Sequence, residues 1–555
     1  MHLSRRRIYV ALAANVVCFG LLLVFTKPLY GGTDDVYCLY LLSGGFGFKP
    51  SELICYNYAL HPAFTLILKH LFIITEQVNW YSVLLIFLHF IGCTSILNQM
   101  LRIKNWEWAL VIYSVFFAVF ESVVILHLTF TNTSIILALT ALVHLICSLN
   151  GLISKYTGYA LFLVFIVLAA FMRIHSIIPF AVITIPFLVL WISKKMASQL
   201  LLISVLGFIL IVLSSHFREG YYEKMEQGWR QEEEYKQKLY LFYNNGAAFS
   251  HNVQKFANEF ELIKYGLIID TNYLSSKKLL EMKKIIDDED RFSPIVFDTN
   301  IIRWAVINNR IFIIAWMLMF FLAVKNKRIF FTATCSFLLF GTIICFLSMH
   351  YKVPAYIIEG GFAIMFLLLI FSVKWDERFS DFHNKISFTI AACIIIWGVV
   401  RIYKIDRKNR AENFSFKMTY TEVAAHRDKL FIVTDMNFPF AYFSVWDLPQ
   451  KFQLPNVITN WHDSYSTNLK MLKKHNINNV KDLPKRSDVL FWGKPIQGII
   501  NYFDLFGNEK FTYSSTIDEF KYGEVRKLIA DKKLTKISDS SSQYSIDSAM
   551  LQSAK

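Results

Sequence analysis

Residues 157–193 read TGYALFLVFIVLAAFMRIHSIIPFAVITIPFLVLWIS. This block is apolar except for a short polar step at Arg173 and His175. About 20 apolar residues are enough for one α-helix to cross the hydrocarbon core of a bilayer, and this block is nearly twice that length. We therefore predict two membrane-spanning helices, 157–171 and 176–193, joined by a tight turn that contains Arg173 and His175.

Apolar runs of this kind recur along most of the chain. Of the 555 residues, 55% are hydrophobic and only 18% are charged, and the mean hydropathy is +0.40. This composition excludes a soluble globular protein of this size. We predict a polytopic α-helical membrane protein with about eleven transmembrane helices. Besides the two helices above, the predicted spans are 8–26, 80–98, 107–127, 132–149, 199–215, 310–325, 329–348, 354–373 and 386–402.

Two other apolar segments need a separate interpretation. Segment 59–76 is apolar but contains His61, Pro62 and Lys69, so we predict a helix that lies at the membrane interface instead of crossing it. The N-terminus combines Arg5–Arg7 with an apolar run, as signal peptides do. No small-residue cleavage site follows this run, so we predict that it is retained as the first transmembrane helix.

The distribution of basic residues predicts the orientation and the domains. Lys and Arg are concentrated in alternate short loops, which predicts a cytoplasmic N-terminus and an extracytoplasmic C-terminus. Segments 429–434, 488–493 and 510–515 are strand-like, which indicates a small α/β or α+β domain in the tail. The predicted domains are a transmembrane domain 1–402 with outer loops 27–79 and 216–309, an extracytoplasmic soluble domain 403–535 and a disordered Ser-rich tail 536–555.

The net charge of +15 does not indicate a nucleic-acid partner, because the basic residues collect in loops that fix the membrane orientation. Membrane lipids are the predicted surroundings.

Of the eight cysteines, only Cys38 and Cys55 lie in the first predicted outer loop, and the sequence leaves open whether they form a disulfide. The acidic runs Glu232–Glu234 and Asp287–Asp290 are predicted to be solvated helix faces. The sequence contains no CxxC or HExxH metal-binding pattern.

A pair of adjacent acids, Asp34 and Asp35, follows the first predicted span directly. Charges close to hydrocarbon cost free energy and are usually retained for function. Glycines lie on both sides of the pair, at Gly31–Gly32 and Gly44–Gly45. We therefore predict that Asp34 and Asp35 belong to an active site that opens at the extracytoplasmic surface of the membrane.

Further polar residues fall at the predicted outer ends of other spans. They are Glu121, His127, Thr131, Asn132, Arg173, His175, His350, Lys352 and Glu359. Because all these residues lie on one predicted side of the membrane, we predict a polar cavity that faces outwards, with carboxylates on one wall and cations on another. A carboxylate can accept the proton of an attacking hydroxyl group, and cations can stabilise a departing phosphate.

Residues 33–72, in the first predicted outer loop, read TDDVYCLYLLSGGFGFKPSELICYNYALHPAFTLILKHLF. This loop resembles that of bacterial members of the GT-C glycosyltransferase superfamily. The matching elements are the acid pair, Ser43–Gly44, Pro50, Tyr56–Asn57 and the apolar helix at 59–73, and further similar segments are LHLTFTNTS at 126–134 and FMRIHSIIP at 171–179. The sequence departs from the family at Leu60–Pro62, where a Gly-bearing step is expected.

The resemblance implies an integral-membrane transferase that takes a sugar from a polyprenyl-phosphate donor on the outer face. The acceptor is a glycan, a lipid or a protein, and the first-loop acid, Asp34 or Asp35, acts as base or orients the acceptor. Some relatives use a divalent metal ion and others do not, so the resemblance leaves open whether this protein needs a metal ion. We predict that the donor phosphate is bound by Arg173, His175, His350 and Lys352. The predicted cavity-lining residues are Glu121, His127, Thr131, Asn132, Tyr56 and Asn57.

Two other classes of protein fit parts of the pattern. A polysaccharide polymerase or ligase has a similar number of spans, but it generally uses basic residues of two outer loops without an acid pair after the first span. A transporter or flippase of lipid-linked sugars predicts ionisable residues at mid-membrane and helices broken by Gly or Pro. The abundance of Ile, Lys, Asn and Phe indicates an AT-rich bacterial genome, and hence the bacterial inner membrane.

Overall fold

The structure is a computed structural model. It describes residues 2–54, 60–103, 105–149, 151–191, 194–244, 256–264, 270, 273–290, 327–350, 355–372, 381–434, 438–458, 465–506 and 510–530. Helices dominate these ranges. In chain order they are α1 (His2–Phe25), α2 (Thr33–Ser43), α3 (Pro62–Ile74), α4 (Trp80–Ile103), α5 (Trp106–Phe116), α6 (Ser122–Leu126), α7 (Phe130–Leu149), α8 (Lys155–Arg173), α9 (Ile178–Trp191), α10 (Lys194–Met225), α11 (Trp229–Asn244), α12 (Ala257–Lys264), α13 (Ser276–Asp290), α14 (Lys327–His350), α15 (Ala355–Ser372), α16 (Asp381–Ala425), α17 (Tyr465–Lys474) and α18 (Gln497–Phe506). A π-helical turn, Phe117–Glu121, joins α5 to α6.

The predicted class, a polytopic α-helical membrane protein, is confirmed. Within the described ranges, eight helical segments are long and apolar enough to cross a membrane. They lie in α1, α4, the continuous segment Trp106–Leu126, α7, α8, α10, α14 and α16. Two other predicted spans correspond to the apolar helices α9 and α15, and the predicted span 310–325 lies outside the described residues.

The predicted turn at Arg173 and His175 is confirmed, and it joins two helices. The helix α8 ends at Arg173, residues Ile174–Ser176 form a short 3-10 turn, and α9 begins at Ile178. The apolar segment 59–76 also contains a helix, α3, of 13 residues. Two helices are longer than their predicted spans. The helix α10 continues to Met225, and α16 runs for 45 residues without a break, so the predicted domain boundary at 402–403 falls inside it.

The chain divides into two compact units. The first consists of Met1–His251, Leu279–Tyr420 and Pro439–Pro455. Its central helix is α7. In the apolar stretch of this helix 94% of the residues are buried, whereas the fraction is 22% in α1 and 11% in α10. A helix that is apolar on all sides and also buried on all sides lies in the core of a bundle. The helices α4 and α8 pack against α7, while α1 and α10 present apolar surface outwards.

A short parallel ladder holds the loops at one end of this bundle. The strand β1 (Leu29–Tyr30) pairs with β2 (His127–Leu128). The backbones approach so closely at Gly31 that a Cβ atom there would lie 2.7 Å from the His127 carbonyl oxygen. The ladder therefore brings the start of α2 to the start of α7, and a glycine at position 31 makes this approach sterically feasible.

The second unit consists of Asn252–Lys278, Thr421–Phe438 and Asn456–Lys555. Its described strands are β3 (Leu430–Val433), β4 (Val457–Ile458), β5 (Val489–Trp492), β6 (Phe511–Tyr513), β7 (Val525–Arg526) and β8 (Leu528–Ala530). They form a sheet in the order β4-β3-β5-β7, parallel except for β7, and a separate antiparallel pair β6-β8. The strands predicted in the tail are thus confirmed, and the sheet with α17 and α18 makes this an α/β unit.

One segment of the predicted outer loop 216–309 belongs to this second unit. The helix α12 packs against α18, and the Tyr502 hydroxyl donates a hydrogen bond to Asp270 at 2.7 Å. This part of the loop therefore packs with the tail, and the membrane side of the two segments stays a prediction. The predicted disordered tail, 536–555, lies outside the described residues.

Candidate functional site

The adjacent acids Asp34 and Asp35 lie in the first turn of α2. Gly32 is the N-cap of this helix, and Gly44, with φ of +80°, ends it in the left-handed conformation that glycine favours. The N-terminal end of a helix dipole stabilises negative charge. The two side chains differ in environment, since Asp34 is half-buried whereas Asp35 is only 2% exposed.

Asp35 is held by two hydrogen bonds that end on the same oxygen. The Tyr81 hydroxyl of α4 and the backbone N–H of Phe130 in α7 each donate to Oδ1, both at 2.8 Å. In the described part of the chain, no donor reaches Oδ2. The carboxyl group is therefore fixed in orientation, and Oδ2 remains as the oxygen on which a proton can reside.

Burial is the main electrostatic influence on Asp35. It raises the pKa of this carboxyl group to about 8, although the bonds from Phe130 and Tyr81 and the charge of Arg173 act in the opposite direction. The neighbouring charge of Asp34 adds to the rise. Asp35 is thus mainly protonated at neutral pH, and in that form it adds no negative charge to the site.

This assignment predicts how stability depends on pH. Because the folded-state pKa of Asp35 lies above its unfolded value of about 4, its contribution to stability is complete below pH 4 and is lost as the pH rises towards 8. We expect Asp35→Asn to abolish this loss, since Asn does not ionise. Between pH 5 and pH 9 the Tm of the variant should rise relative to that of the wild type, by at least about 2 °C. Thermal unfolding in nanodiscs measures this difference, and a Tm gap that is the same at every pH would contradict a buried, protonated Asp35.

Arg173, at the end of α8, contacts the first turn of α7, which also contains Phe130. Its Nη1 donates a hydrogen bond to the Thr131 hydroxyl at 2.7 Å, and its guanidinium lies 5.6 Å from the ring centre of Phe130. The side chain is only 6% exposed. Its backbone carbonyl accepts hydrogen bonds from Ser134 and Ser176, which fix the turn after α8. The first turn of α7 therefore binds Asp35 through Phe130 and Arg173 through Thr131.

The segment before α3 is hydrogen-bonded to the last turn of α8, next to Arg173. The backbone N–H groups of Leu60 and His61 donate to the carbonyls of Met172 and Phe171, at 3.1 and 2.8 Å. Leu60 has φ of +52°, a left-handed conformation that is strained for leucine and normal for glycine. This is the position where the sequence departs from the GT-C pattern, and the backbone there keeps the shape that a glycine would take.

A second group of charged residues comes from α10 and α11. The Arg218 guanidinium lies 3.7 Å from Glu233 and 5.0 Å from the ring centre of Trp229. Glu233 is only 3% exposed, so the prediction that the run Glu232–Glu234 is a solvated face is wrong for this residue. The helix turns Glu233 inwards, where the charge of Arg218 compensates for the cost of its burial. On the same helix, Lys236 lies 5.7 Å from the ring centre of Tyr37 in α2.

His175 lies in the same neighbourhood as these charges. It is exposed, and the charges of Arg173, Glu233 and Arg218 all act on it. The structure therefore brings Asp35, Arg173 and His175 to one end of the bundle. Sequence reasoning missed Arg218, Glu233 and Lys236, because their spacing within α10 and α11 does not reveal which side chains face the interior of the unit.

The other predicted residues lie in different places. Glu121 lies inside the bundle, where it is fully buried and pairs with His89 of α4. His127 lies in β2, where burial and the nearby charge of Lys408 lower its pKa to about 4. Asn132 is half-buried, and its side-chain amide donates to the His127 carbonyl at 3.4 Å. Tyr56, Asn57, Lys352 and the side chain of His350 lie outside the described residues.

Solved structures with a similar architecture are those of ArnT from Cupriavidus metallidurans, a GT-C glycosyltransferase. The structure bound to undecaprenyl phosphate has a TM-score of 0.49 to this chain, and the apo structure one of 0.48. Both are 10% identical in sequence, over 94% of this chain and 97% of theirs. The sequence matches no protein-family model and no curated protein. At this identity the likeness concerns the overall fold alone.

The described residues contain no cluster of three potential metal-ligating side chains of His, Cys, Asp or Glu. Two carboxylates are fewer protein ligands than zinc and calcium sites generally use, whereas Mg²⁺ is bound by one or two carboxylates together with substrate phosphates. Cys38 is a buried free thiol, and Cys55 lies outside the described ranges.

Proposed function

We propose that this protein is a membrane glycosyltransferase that moves a sugar from a polyprenyl-phosphate donor to an acceptor hydroxyl at the extracytoplasmic face of the membrane. One observation supports this most directly. A buried acid, Asp35, and a buried cation, Arg173, are held by consecutive residues, Phe130 and Thr131, at the start of one helix. The half-buried Asp34 lies beside them.

The donor phosphate would bind to the cationic side of this site. Arg173 is the primary phosphate ligand in this proposal, because a guanidinium presents several N–H donors to phosphate oxygens. Arg218, Lys236 and His175 contribute further positive charge or donors around the same end of the bundle. The polyprenyl tail would lie along the apolar outer surface of the spanning helices, with the phosphate at the depth of Arg173.

Asp34 would act as the general base. It would take the proton of the acceptor hydroxyl, whose oxygen then forms a bond to the anomeric carbon of the sugar. The bond from that carbon to the phosphate oxygen breaks, and polyprenyl phosphate leaves with the electron pair. A single displacement of this kind inverts the anomeric configuration. Protonated Asp35 would keep a second negative charge away from both Asp34 and the phosphate.

Transfer by the purified full chain tests this proposal. The protein in nanodiscs would be incubated with a panel of radiolabelled undecaprenyl-phosphate sugars and with bacterial envelope extract as the source of acceptor. We expect label to leave the lipid for one donor, with an equal amount of undecaprenyl phosphate formed. If a folded protein with normal Tm cleaves none of the donors, the proposal is rejected.

The transporter alternative has one observation in its favour. It predicts ionisable residues inside the membrane, and the buried pair His89–Glu121 is of that kind. The same donors separate the two functions in sealed proteoliposomes. A flippase would move labelled lipid between leaflets with its sugar–phosphate bond intact, whereas a transferase would cleave that bond.

A further inference from the structure

A buried contact between an acid and a histidine lies inside the bundle. The Nδ1 atom of His89 in α4 is 2.8 Å from Oε1 of Glu121, and both side chains have no solvent exposure. An acid and a base at this depth are costly unless their partners hold them well. The other carboxyl oxygen of Glu121, Oε2, has no hydrogen-bond partner in the described structure. The pair is thus retained at a cost, which indicates a role other than stability.

The pair connects to the start of α7 through one hydroxyl group. The Nε2 atom of His89 is 3.0 Å from the Thr133 hydroxyl, which itself donates to the Thr129 carbonyl at 2.9 Å. Since the hydroxyl proton is used on Thr129, Nε2 must donate to Thr133. The contact between Nδ1 of His89 and Oε1 of Glu121 extends this chain of hydrogen bonds from α7 through α4 to the π-helical turn.

Thr129 determines where α7 begins. Its hydroxyl accepts a hydrogen bond from the Asn132 N–H at 2.9 Å, in the manner of an N-cap residue. The next two residues are Phe130 and Thr131, which hold Asp35 and Arg173. A displacement of Thr129 would therefore move both contacts of the candidate site together.

The π-helical turn Phe117–Glu121 places Glu121 at the end of a widened turn. Such turns insert one extra residue into a helix and are frequent near functional sites. The titratable groups facing Glu121 are His89 and Cys93 of α4 and Tyr113 of α5. Those facing Asp35 are Asp34 and Cys38 of α2, Tyr30, Tyr81 of α4 and Arg173 of α8.

We infer that His89 and Glu121 are positioning residues, which hold the first turn of α7 in the register that presents Phe130 to Asp35 and Thr131 to Arg173. This inference rests on the proposed function for its role in donor binding. Its structural part, the placement of the Phe130 N–H against Asp35, is independent of any substrate. Neither residue touches the reacting groups, and both act through Thr133 and Thr129.

The double variant His89→Leu/Glu121→Leu tests the inference. Replacement of a buried ion pair by apolar residues of similar size is often neutral for stability, so this variant should fold. The first measurement is the infrared band of the protonated Asp35 carboxyl group in nanodiscs, identified by its loss in Asp35→Asn. We expect the pH midpoint of this band to rise by about one unit or more, because Asp35 loses the hydrogen bond from Phe130 and the nearby Arg173 charge.

The second measurement is the binding of undecaprenyl phosphate at pH 7. We expect the double variant to bind it about 10-fold more weakly than the wild type, with a Tm close to that of the wild type. A purely structural pair would change the Tm and would leave the carboxyl midpoint and the affinity unchanged.

A control contact joins α4 to α7 at another place. Ser95 of α4 and His144 of α7 form a partly buried hydrogen bond of 2.6 Å, towards the opposite end of α7. The variant Ser95→Ala/His144→Leu should therefore leave the Asp35 midpoint unchanged. If the His89/Glu121 variant has the wild-type midpoint, or if both double variants shift it equally, the inference is overturned. If the wild type does not bind the lipid, the proposed function fails, while the infrared measurement still decides the positioning role.

Discussion

Replacement of Asp34 with Asn is expected to lower the rate of sugar transfer by about 10²–10⁴-fold, the range that removal of a general base usually gives. Asn has nearly the same shape as Asp but cannot accept the proton of the acceptor hydroxyl. Since Asp34 is half-buried at the first turn of α2 and Asn occupies nearly the same volume, the fold should be retained. The effect should appear in kcat, while the affinity for the donor changes little.

Glu234→Gln is the matched control for this prediction. Glu234 is exposed on α11 and is also a carboxylate of the first unit, so its neutralisation changes the net charge by the same amount. It should transfer sugar at the wild-type rate. Transfer by Asp34→Asn at a rate within about twofold of the control would show that Asp34 is not the base.

Replacement of Arg173 with Gln is expected to weaken the binding of polyprenyl phosphate by about 10–100-fold. A charge-assisted hydrogen bond contributes about 1.5–3 kcal/mol, which corresponds to this range. The guanidinium also donates to Thr131, so part of the loss will arise from a displaced α7 turn. Binding of undecaprenyl phosphate to the protein in nanodiscs measures the change, and Arg173→Lys should lie between the wild type and the Gln variant.

Arg230→Gln serves as the control for Arg173. Arg230 is 53% exposed and pairs with Glu219 at 2.7 Å on the surface of the same unit. Exposed ion pairs contribute little to stability, so this variant should bind the lipid as the wild type does. If Arg173→Gln lowers the Tm but leaves the lipid affinity unchanged, Arg173 is a packing residue and does not bind the phosphate.

The membrane class of the fold follows from the sequence because length and hydropathy are local properties. The block 157–193 is too long for one span, and its only polar step contains Arg173, so a turn at that step was predictable and is confirmed. The strands at 430–433 and 489–492 were predictable for the same reason, since they are short apolar runs between turn residues.

His89 shows where the sequence argument was incomplete. The charges were expected to cluster at one membrane face, yet His89 and Glu121 form a contact inside the bundle. A histidine within a predicted span is a signal for a buried polar contact, and this signal was available. Its partner could not be identified, because 32 residues separate the two in sequence.

The sequence by itself determined that this chain is a helical membrane protein with an acid pair and an arginine at one end of its bundle. Only the tertiary structure decided which acid is buried, that Asp35 and Arg173 meet at the first turn of α7, and that Glu233 faces inwards. The reason is physical. The Asp35 carboxyl group and the Phe130 N–H that holds it are 95 residues apart in sequence. Burial and charge at such a contact depend on the packing of α2, α4, α7 and α8, which no local pattern encodes.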